Sequence, residues 1–447
     1  MAERAIALEK TPAGNGIFDQ HHPPSMERID QCVHCGFCLP TCPTYSLWHQ
    51  EMDSPRGRIY LMKMGAEGRA VMDETYVRHF DKCLGCMACM SACPSGVRYD
   101  ELIEPTRAQI ERHYQRSLSD RLFRYLIFSL FPHPRRLRAC LPFLWAYQHL
   151  GIRWILRRLG LLRFLPERWR AMEALMPEVS LRSLAPRFPL RIVPRGTPRL
   201  RAGLMLGCVQ RVFFDEVNAA TARVLVAEGC EVIVPREQQC CGALVMHAGR
   251  EPEALVAARR FIDCFERAQV DVVVVNAAGC GSSIKDYGRL LQDDPRYAAR
   301  ARMFVEKCKD VAEVLDQLGP RAPRHSLPLR VAYQDACHLQ HAQGISQAPR
   351  RLLGTIPDLQ VLEIEESAIC CGSAGIYNLI QPRTGAELGD RKIRYVLASG
   401  AQAVASGNPG CLLQMMSRLR NIGQRLPAFH TIQLLDASIR GVWLRSA

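Results

Sequence analysis

Two cysteine runs of identical spacing decide most of what this chain can be. Cys32-Val-His-Cys35-Gly-Phe-Cys38-Leu-Pro-Thr-Cys42-Pro43 and Cys83-Leu-Gly-Cys86-Met-Ala-Cys89-Met-Ser-Ala-Cys93-Pro94 both read C-x2-C-x2-C-x3-C-P. This is the bacterial ferredoxin spacing, in which the fourth cysteine of each run serves the other cluster. Two-residue steps let a tight loop wrap a cube, so that three thiolates reach irons while backbone N–H groups face the sulfides. The fourth cysteine starts a departing segment, and the proline after it keeps the loop from winding on as helix. One [4Fe–4S] cube is therefore expected on Cys32, Cys35, Cys38 and Cys93, and the other on Cys83, Cys86, Cys89 and Cys42. Zinc sites also use CxxC pairs, but as two separated pairs rather than three close cysteines and a distant fourth. Gly36, Phe37, Gly85, Met87 and Ala88 are expected to limit solvent access to the cubes. His34 reads as a surface residue, because thiolates already complete the ligand set.

The chain holds 20 cysteines in 447 residues, which fits a disulfide framework, a metal protein or a redox protein. Disulfide scaffolds are small and secreted, and Met1–Lys10 lacks the basic start and apolar run of a secretion signal. A reducing, cytoplasmic location is expected, where thiols remain available as thiolate ligands. The formal net charge of +14 raises the question of a nucleic-acid partner. Most of the excess sits in one stretch, Arg121 to Arg170, with eleven arginines, no lysine and one acid, Glu167. No stacking platform interleaves it and no zinc-finger or RNA-binding signature accompanies it, so no nucleic acid is expected. Leucines and aromatics beside arginine read as a docking face, toward an anionic surface such as the cytoplasmic face of the inner membrane, or toward a partner subunit. A packed helical connector with solvated arginines is the alternative.

Residues 1–30, with Pro12, Gly14, Gly16, Pro23 and Pro24, read as a flexible lead-in. Residues 31–105 carry the two runs around short helices at Arg56–Met64 and Asp73–Phe80. Residues 106–200 comprise amphipathic helices broken at Pro132, Pro134, Pro142 and Pro166, then a Pro-rich linker from residue 176. The longest uncharged run there, Ala139–Ile152, is too short to span a bilayer. In 201–325 and again in 326–447, short β-branched runs alternate with helices. Strands are expected at Gly203–Leu206, Glu231–Val234 and Asp271–Val275, then at Leu329–Tyr333, Gln360–Ile364 and Ala401–Ala405. Helices are expected at Val217–Glu228, Pro252–Arg267, Gln347–Leu353 and Gly385–Leu397. Such alternation implies parallel sheets covered by helices. The fold class is mixed: a helical two-cluster ferredoxin domain followed by two tandem α/β cysteine-rich modules.

The cysteines expose the repeat. Cys208, Cys240, Cys241 and Cys280 match Cys337, Cys370, Cys371 and Cys411 at offsets of 129 to 131 residues, and each pair is followed by a glycine, Gly242 or Gly372. In each module the cysteines fall at or beyond the carboxyl end of an expected strand, where open parallel sheets collect ligands. Glycine permits close backbone approach at the Cys–Cys turns. Four thiols converging on one crevice imply a further iron–sulfur centre in at least one module. Cys140, Cys230, Cys264 and Cys308 lie outside any motif, and Cys230 and Cys264 read as small buried hydrophobes. His247, His338 and His341, near the module cysteines, read as polar, packed or partner-facing residues rather than ligands.

With these motifs in view, the chain resembles the glycolate oxidase iron–sulfur subunit from about residue 30 to the C-terminus. Beyond the cysteines the resemblance is carried by Cys32–Tyr45, Ser54-Pro-Arg-Gly-Arg-Ile-Tyr60, Asn218-Ala-Ala-Thr-Ala-Arg-Val-Leu225, Ala278-Gly-Cys-Gly281, His338-Leu-Gln-His-Ala-Gln343 and Cys370-Cys-Gly-Ser-Ala-Gly-Ile-Tyr377. The ferredoxin and Cys–Cys–Gly features are shared with heterodisulfide reductase, lactate-utilisation and anaerobic glycerol-3-phosphate dehydrogenase proteins; the last two segments and the chain length favour glycolate oxidase. The resemblance implies a first domain like that of the succinate dehydrogenase iron–sulfur subunit. It also implies FAD-containing partner subunits that oxidise glycolate to glyoxylate, and electron transfer onward to a membrane- or quinone-linked acceptor. In heterodisulfide reductases each module ends in CxxC, whereas here Ser283 and Gln414 stand three residues after Cys280 and Cys411, which weakens a catalytic thiol reading. No GxGxxG or P-loop follows a strand. Without flavin a cluster protein moves single electrons and takes no hydride from a 2-hydroxy acid, so the chain is not expected to turn over substrate alone.

Overall fold

The computed structural model describes residues 16–179 and 188–443. The N-terminal part is helical around the two cysteine loops. Helix Pro55–Ala66 starts on Ser54, whose hydroxyl accepts from Gly57 N, and helix Glu74–Asp81 starts on Asp73, whose carboxylate accepts from Tyr76 N. Both are oxygen side chains satisfying first-turn N–H groups. Ile59, Met62, Phe80, Leu102 and Ile103 make the core beneath the loops.

Residues 1–15 lie outside the described residues. Residues 16–25, within the expected lead-in, make long-range contacts. The Asp19 carboxylate accepts from Gln109 Nε2 and Arg112 Nε, both at 2.9 Å. Burial alone would raise the Asp19 pKa, but the hydrogen bonds from Arg112, His113 and Gln109 outweigh it and hold it low. Pro and Gly composition registers backbone conformation and not such long-range pairing.

Between the halves run the helices Leu118–Leu130, Pro134–Ala139, Leu141–His149, Ile152–Arg158 and Glu167–Leu175. Three of the four expected break points are helix starts: Pro134 is a first residue, Pro142 a second, and Pro166 a cap, while Pro132 lies in the turn after the helix Leu118–Leu130. Proline fits at a helix start because its missing N–H has no intrahelical partner to lose.

The rest of the chain forms two sheets. The first has strands β1 (Arg191–Ile192), β2 (Leu200–Leu204), β3 (Cys230–Ile233), β4 (Val272–Val275) and β5 (Cys308–Asp310), in the order β1-β3-β2-β4-β5. The second has β6 (Arg330–Tyr333), β7 (Gln360–Glu363), β8 (Ala403–Ser406) and β9 (Ala428–His430), in the order β7-β6-β8-β9. All pairings are parallel except β1 with β3. The six strands expected from sequence are present. Three were not expected: β1, within the Pro-rich linker, and β5 and β9, each three residues or fewer. The last two had a readable marker, because each leads into a capping box, Asp310 with Glu313 and His430 with Gln433.

The two modules share one core. Leu204, Val224 and Leu225 of the first pack in the same cluster as Val331, Leu353 and Leu435 of the second. The contact is reciprocal: helix Asp215–Ala227 packs on Thr431–Arg440, and Val311–Leu318 on Gln347–Gly354. Arg223 pairs with Asp436 at 2.7 Å across one contact, and Arg351 with Asp316 across the other.

Candidate iron–sulfur centres

The two ferredoxin-type loops fold alike. His34 and Gly36 in the first, and Gly85 and Met87 in the second, stand at equivalent positions with φ of 55°, 89°, 64° and 62°. Left-handed residues alternating with right-handed ones turn successive N–H groups to one side, a concavity suited to an anion. An arginine braces each loop. Arg56 Nη1 donates to His34 O at 2.9 Å, and Arg107 Nη2 donates to Cys83 O at 2.5 Å. Cys42 caps helix Pro43–Trp48, with Pro43 in its first position, so the chain departs where the spacing said it would.

That departure carries Cys42 to the other loop. Cys42, Cys83, Cys86 and Cys89 line one small cavity. Cys32 in turn lies close enough to Cys93 and Cys35 to feel their charge; burial raises its pKa and these two thiols raise it further. The two loops differ in exposure. Cys35 is exposed and Phe37 is 67 % exposed, so Phe37 does not shield the first site as expected. The second loop is the shielded one: Cys86 is 8 % exposed, and Leu84, Met87 and Ala88 are buried with it.

Arg58 lies fully buried beside the second loop. Its Nε donates to His79 O at 2.7 Å, and Nη1 and Nη2 each reach Thr44 Oγ1 at 3.2 Å. Its partner carboxylate, Asp53, sits at 3.6 Å and also holds His79 and Lys82. Burial alone would raise the Cys83 pKa, yet the Arg58 and Arg107 guanidinium groups outweigh it and hold it below the ordinary thiol value. A buried cation there favours added negative charge on whatever the cysteines bind. Arg58→Met is expected to move the midpoint potential of the buried centre to more negative values and to cost about 3 kcal/mol of stability. Potentiometric titration and thermal unfolding check both, and an unchanged potential would uncouple Arg58 from the centre.

In the modules, the cysteines meet as the sheet order requires. The orders β3-β2-β4 and β7-β6-β8 place a topological switch point beside the central strand, the crevice where such sheets bind ligands. Cys208 lies against Cys240, Cys240 against Cys241, and Cys241 against Cys280. In the second module Cys337 Sγ is 3.9 Å from Cys370 Sγ, Cys370 lies against Cys371, and Cys371 against Cys411. Gly242 and Gly372 turn both Cys–Cys corners at φ of 86° and 84°. A Cβ on Gly372 would sit 2.6 Å from Gly385 O, so only glycine fits.

Each thiol row is paired with a buried cation. Arg211 packs beside Cys208 and Cys240; its Nη1 donates to Gln238 O at 3.1 Å, while Nη2 is buried without a hydrogen-bond partner. Burial pushes its pKa down to about 10. In the second module Lys392 is 2 % exposed and, among the described residues, donates to the backbone carbonyls of Glu366 and Ser367 alone. Hydrogen bonds from Cys370 and Cys411, joined by Ser373 N and the Lys392 ammonium, outweigh burial and hold the Cys371 pKa well below the ordinary value. Buried cations call for an anionic counterpart. Neutral thiols cannot supply one, whereas the thiolates of a bound iron–sulfur centre can, so the residues present fit such a group.

The structure brings these rows together in a way the spacing did not reveal. A cavity of about 490 Å³ is lined by Cys208 and Cys280 of one module, Cys337, Cys370 and Cys411 of the other, and Cys83 of the second loop. Cys86 packs with Cys337 and Cys370 in one cluster. Of the polar, packed or partner-facing roles open to the histidines, the structure shows packed, hydrogen-bonded ones. His338 Nε2 meets Gly85 O at 2.9 Å and its Nδ1 meets Ser282 Oγ at 2.6 Å; His341 bridges Ser91 and Ala368; His247 Nδ1 meets Glu104 at 3.2 Å. Burial pushes His338 down to about 4, in keeping with a neutral ring. Cys230, Cys264 and Cys308 are buried core residues. Arg58, Arg107, Arg211 and Lys392 are the residues that sequence reasoning passed over. Nothing in a primary sequence distinguishes a buried arginine from a solvated one.

Comparison with known proteins finds the same succession of parts along the chain. Residues 28–97 match the 4Fe-4S dicluster domain family, and residues 202–285 and 331–416 match the cysteine-rich domain family. Residues 119–176 match the linker region of the glycolate oxidase iron-sulfur subunit. A probable glycolate oxidase iron-sulfur subunit of Bacillus subtilis (strain 168) is 40 % identical over 420 residues, covering 92 % of this chain and 95 % of that one. This chain belongs to the glycolate oxidase iron–sulfur subunit family. The Escherichia coli (strain K12) glycolate oxidase iron-sulfur subunit is 34 % identical, covering 91 % of this chain and 93 % of its own. Lactate utilization protein A of an Exiguobacterium species is 29 % identical, covering 53 % of this chain and 97 % of its own. As a member of this family the chain carries iron–sulfur clusters and serves in an oxidoreductase complex.

Proposed function

We propose that this subunit relays electrons within a flavin-dependent glycolate dehydrogenase, from FAD-containing partner subunits that oxidise glycolate to glyoxylate toward a membrane- or quinone-linked acceptor. The observation that carries the reading is the contrast between the loops: one opens to the surface, while the other is buried against the second module's cysteines. In this reading Cys32, Cys35, Cys38 and Cys93 hold the outer cube, and Cys42, Cys83, Cys86 and Cys89 the inner one. Cys337, Cys370, Cys371 and Cys411, with or without Cys208, Cys240, Cys241 and Cys280, hold a further iron–sulfur centre. The clusters supply one-electron steps. The protein's own residues hold them in sequence, exclude water from the inner ones and place Arg58, Arg211 and Lys392 beside the negative charge. Residues 31–105, 106–200, 201–325 and 326–447 serve as the working units.

No GxGxxG or P-loop follows a strand, and in this reading the partner subunits supply the flavin that takes the hydride. The purified, flavin-free subunit is expected to reduce no dye with glycolate or lactate, and to do so once the flavoprotein subunits are added. Turnover by a flavin-free, partner-free preparation would overturn the reading. A strong preference for lactate in the complete complex would move the substrate assignment and keep the relay.

A further inference from the structure

Most helices between the two halves bury one face, but residues 150–165 do not. Neither the helix Ile152–Arg158 nor the 3-10 turn Leu161–Phe164 has a single buried residue. Trp154 is 66 %, Leu159 65 % and Phe164 85 % exposed, and Ile152, Ile155 and Leu161 stand exposed among them. Contiguous apolar surface of this kind is rare on a protein that stays in water, because each side chain forgoes its transfer free energy. The segment is nevertheless firmly held at its base. Glu173 accepts from Arg153 at 2.9 Å and from Arg157 at 3.1 Å, which fastens the tip to the helix Glu167–Leu175.

Charge decides what covers it. Arg158 lies over the Trp154 ring at 5.8 Å, and among the described residues neither it nor Arg163 pairs with a carboxylate. The surrounding stretch offers no acid to them: between Arg121 and Arg170 only Glu167 is acidic, and it is taken by Arg383 at 2.9 Å. Arginine and aromatic residues also suit protein interfaces, but there each covered arginine needs its own placed carboxylate, whereas an anionic lipid headgroup layer supplies phosphates at every point around an inserted aromatic. Seven helical residues extend only about 10 Å, which suits a helix lying in an interface rather than crossing it; no described helix is long and apolar enough to cross.

We propose that residues 150–165 are an interfacial anchor that docks the subunit on an anionic bilayer. Trp154, Leu159 and Phe164 enter the boundary between headgroups and acyl chains, and Arg158 and Arg163 contact lipid phosphates. The preceding helix, Leu141–His149, contributes Leu144 to the wall of the cysteine-lined cavity, so the anchor would hold that cavity near the membrane. The purpose of the anchor rests on the membrane-side acceptor proposed above. Vesicle binding is measured without turnover, so failure of the anchor leaves the electron relay standing, and failure of the relay leaves the anchor standing.

The test uses the full-length, cluster-loaded protein and co-sedimentation with phosphatidylcholine vesicles made with or without phosphatidylglycerol. Binding to the phosphatidylglycerol vesicles is expected at low salt, about tenfold weaker at high salt and on neutral vesicles. The double variant Trp154→Ser, Phe164→Ser is expected to lose about tenfold or more of that binding while keeping its iron content and visible spectrum. Arg158→Glu with Arg163→Glu is expected to abolish the preference for phosphatidylglycerol. Absence of binding to anionic vesicles at low salt would overturn the proposal, as would binding undiminished by either double variant. So would capture of the flavoprotein subunits through this tip by a protein that ignores vesicles, since the surface would then belong to a partner.

Discussion

Cys93→Ser is expected to strip the outer cube, held by Cys32, Cys35 and Cys38, and to spare the cube nearest to it in sequence. Cys93 closes the second run, so a reading confined to sequence neighbours puts the damage at Cys83, Cys86 and Cys89. The geometry puts it elsewhere. Cys93 approaches Cys32, while Cys42 shares a cavity with Cys83, Cys86 and Cys89. Iron counts should fall by about four per chain in either variant, since one ligand in four is lost and the cube opens. The spectra should separate the variants. Cys93→Ser removes the centre near the exposed Cys35, whereas Cys42→Ser removes the one packed against Cys337 and Cys370. The consequences differ as well: losing the inner cube should interrupt the route into the modules, and losing the outer one should impair only exchange at the surface. Loss confined to the sequence-local cube in both variants would refute the crossed ligand pattern.

The second large effect concerns iron content. Two ferredoxin-type cubes account for about eight irons per chain, and the anaerobically isolated subunit is expected to hold about twelve or more. The basis is electrostatic. Lys392 and Arg211 are buried beside thiol rows, and among the described residues neither forms a salt bridge; Glu366, the carboxylate near Lys392, is paired with Arg391, and a buried cation without its own counter-ion is costly. Cys371→Ser should therefore remove about four irons and slow electron delivery, and Lys392→Met should weaken retention of the same centre without touching the ferredoxin-type cubes. The second module is the better candidate, because it alone combines a lysine, a depressed thiol at Cys371 and an Asn408 amide donating to Cys411 Sγ at 3.3 Å. A count that stays at eight, with Cys241→Ser and Cys371→Ser leaving electron transfer intact, would show that the modules keep the fold without the metal.

Much of this protein was legible before any coordinates, and for a definite reason. Ligand spacing is a local property: a C-x2-C-x2-C-x3-C-P run dictates its own loop, and the same left-handed positions recur in both copies because the same cube must be wrapped. Parallel α/β modules are likewise written in local periodicity, so six strands and four long helices stood close to where the apolar pattern placed them. The misses were short or long-range. Strands β5 and β9 have three residues each, too few for alternation to register. Phe37 was taken for a shield because it is apolar, but which loop faces water depends on what packs over it.

What the sequence alone determined is therefore the chemistry and its repeat: two iron–sulfur cysteine runs of one spacing, and two cysteine-rich modules of one family. Only the tertiary structure decided how those sites relate. Val224 and Leu225 share a core with Leu353 and Leu435 from the other module, and the switch points of both sheets consequently face one cavity. Cys86 meets Cys337 across 251 residues of chain, and Arg58, Arg211 and Lys392 come to rest beside cysteines rather than in water. Burial of this kind is set by the sum of all contacts around a side chain, which no local pattern of residues contains.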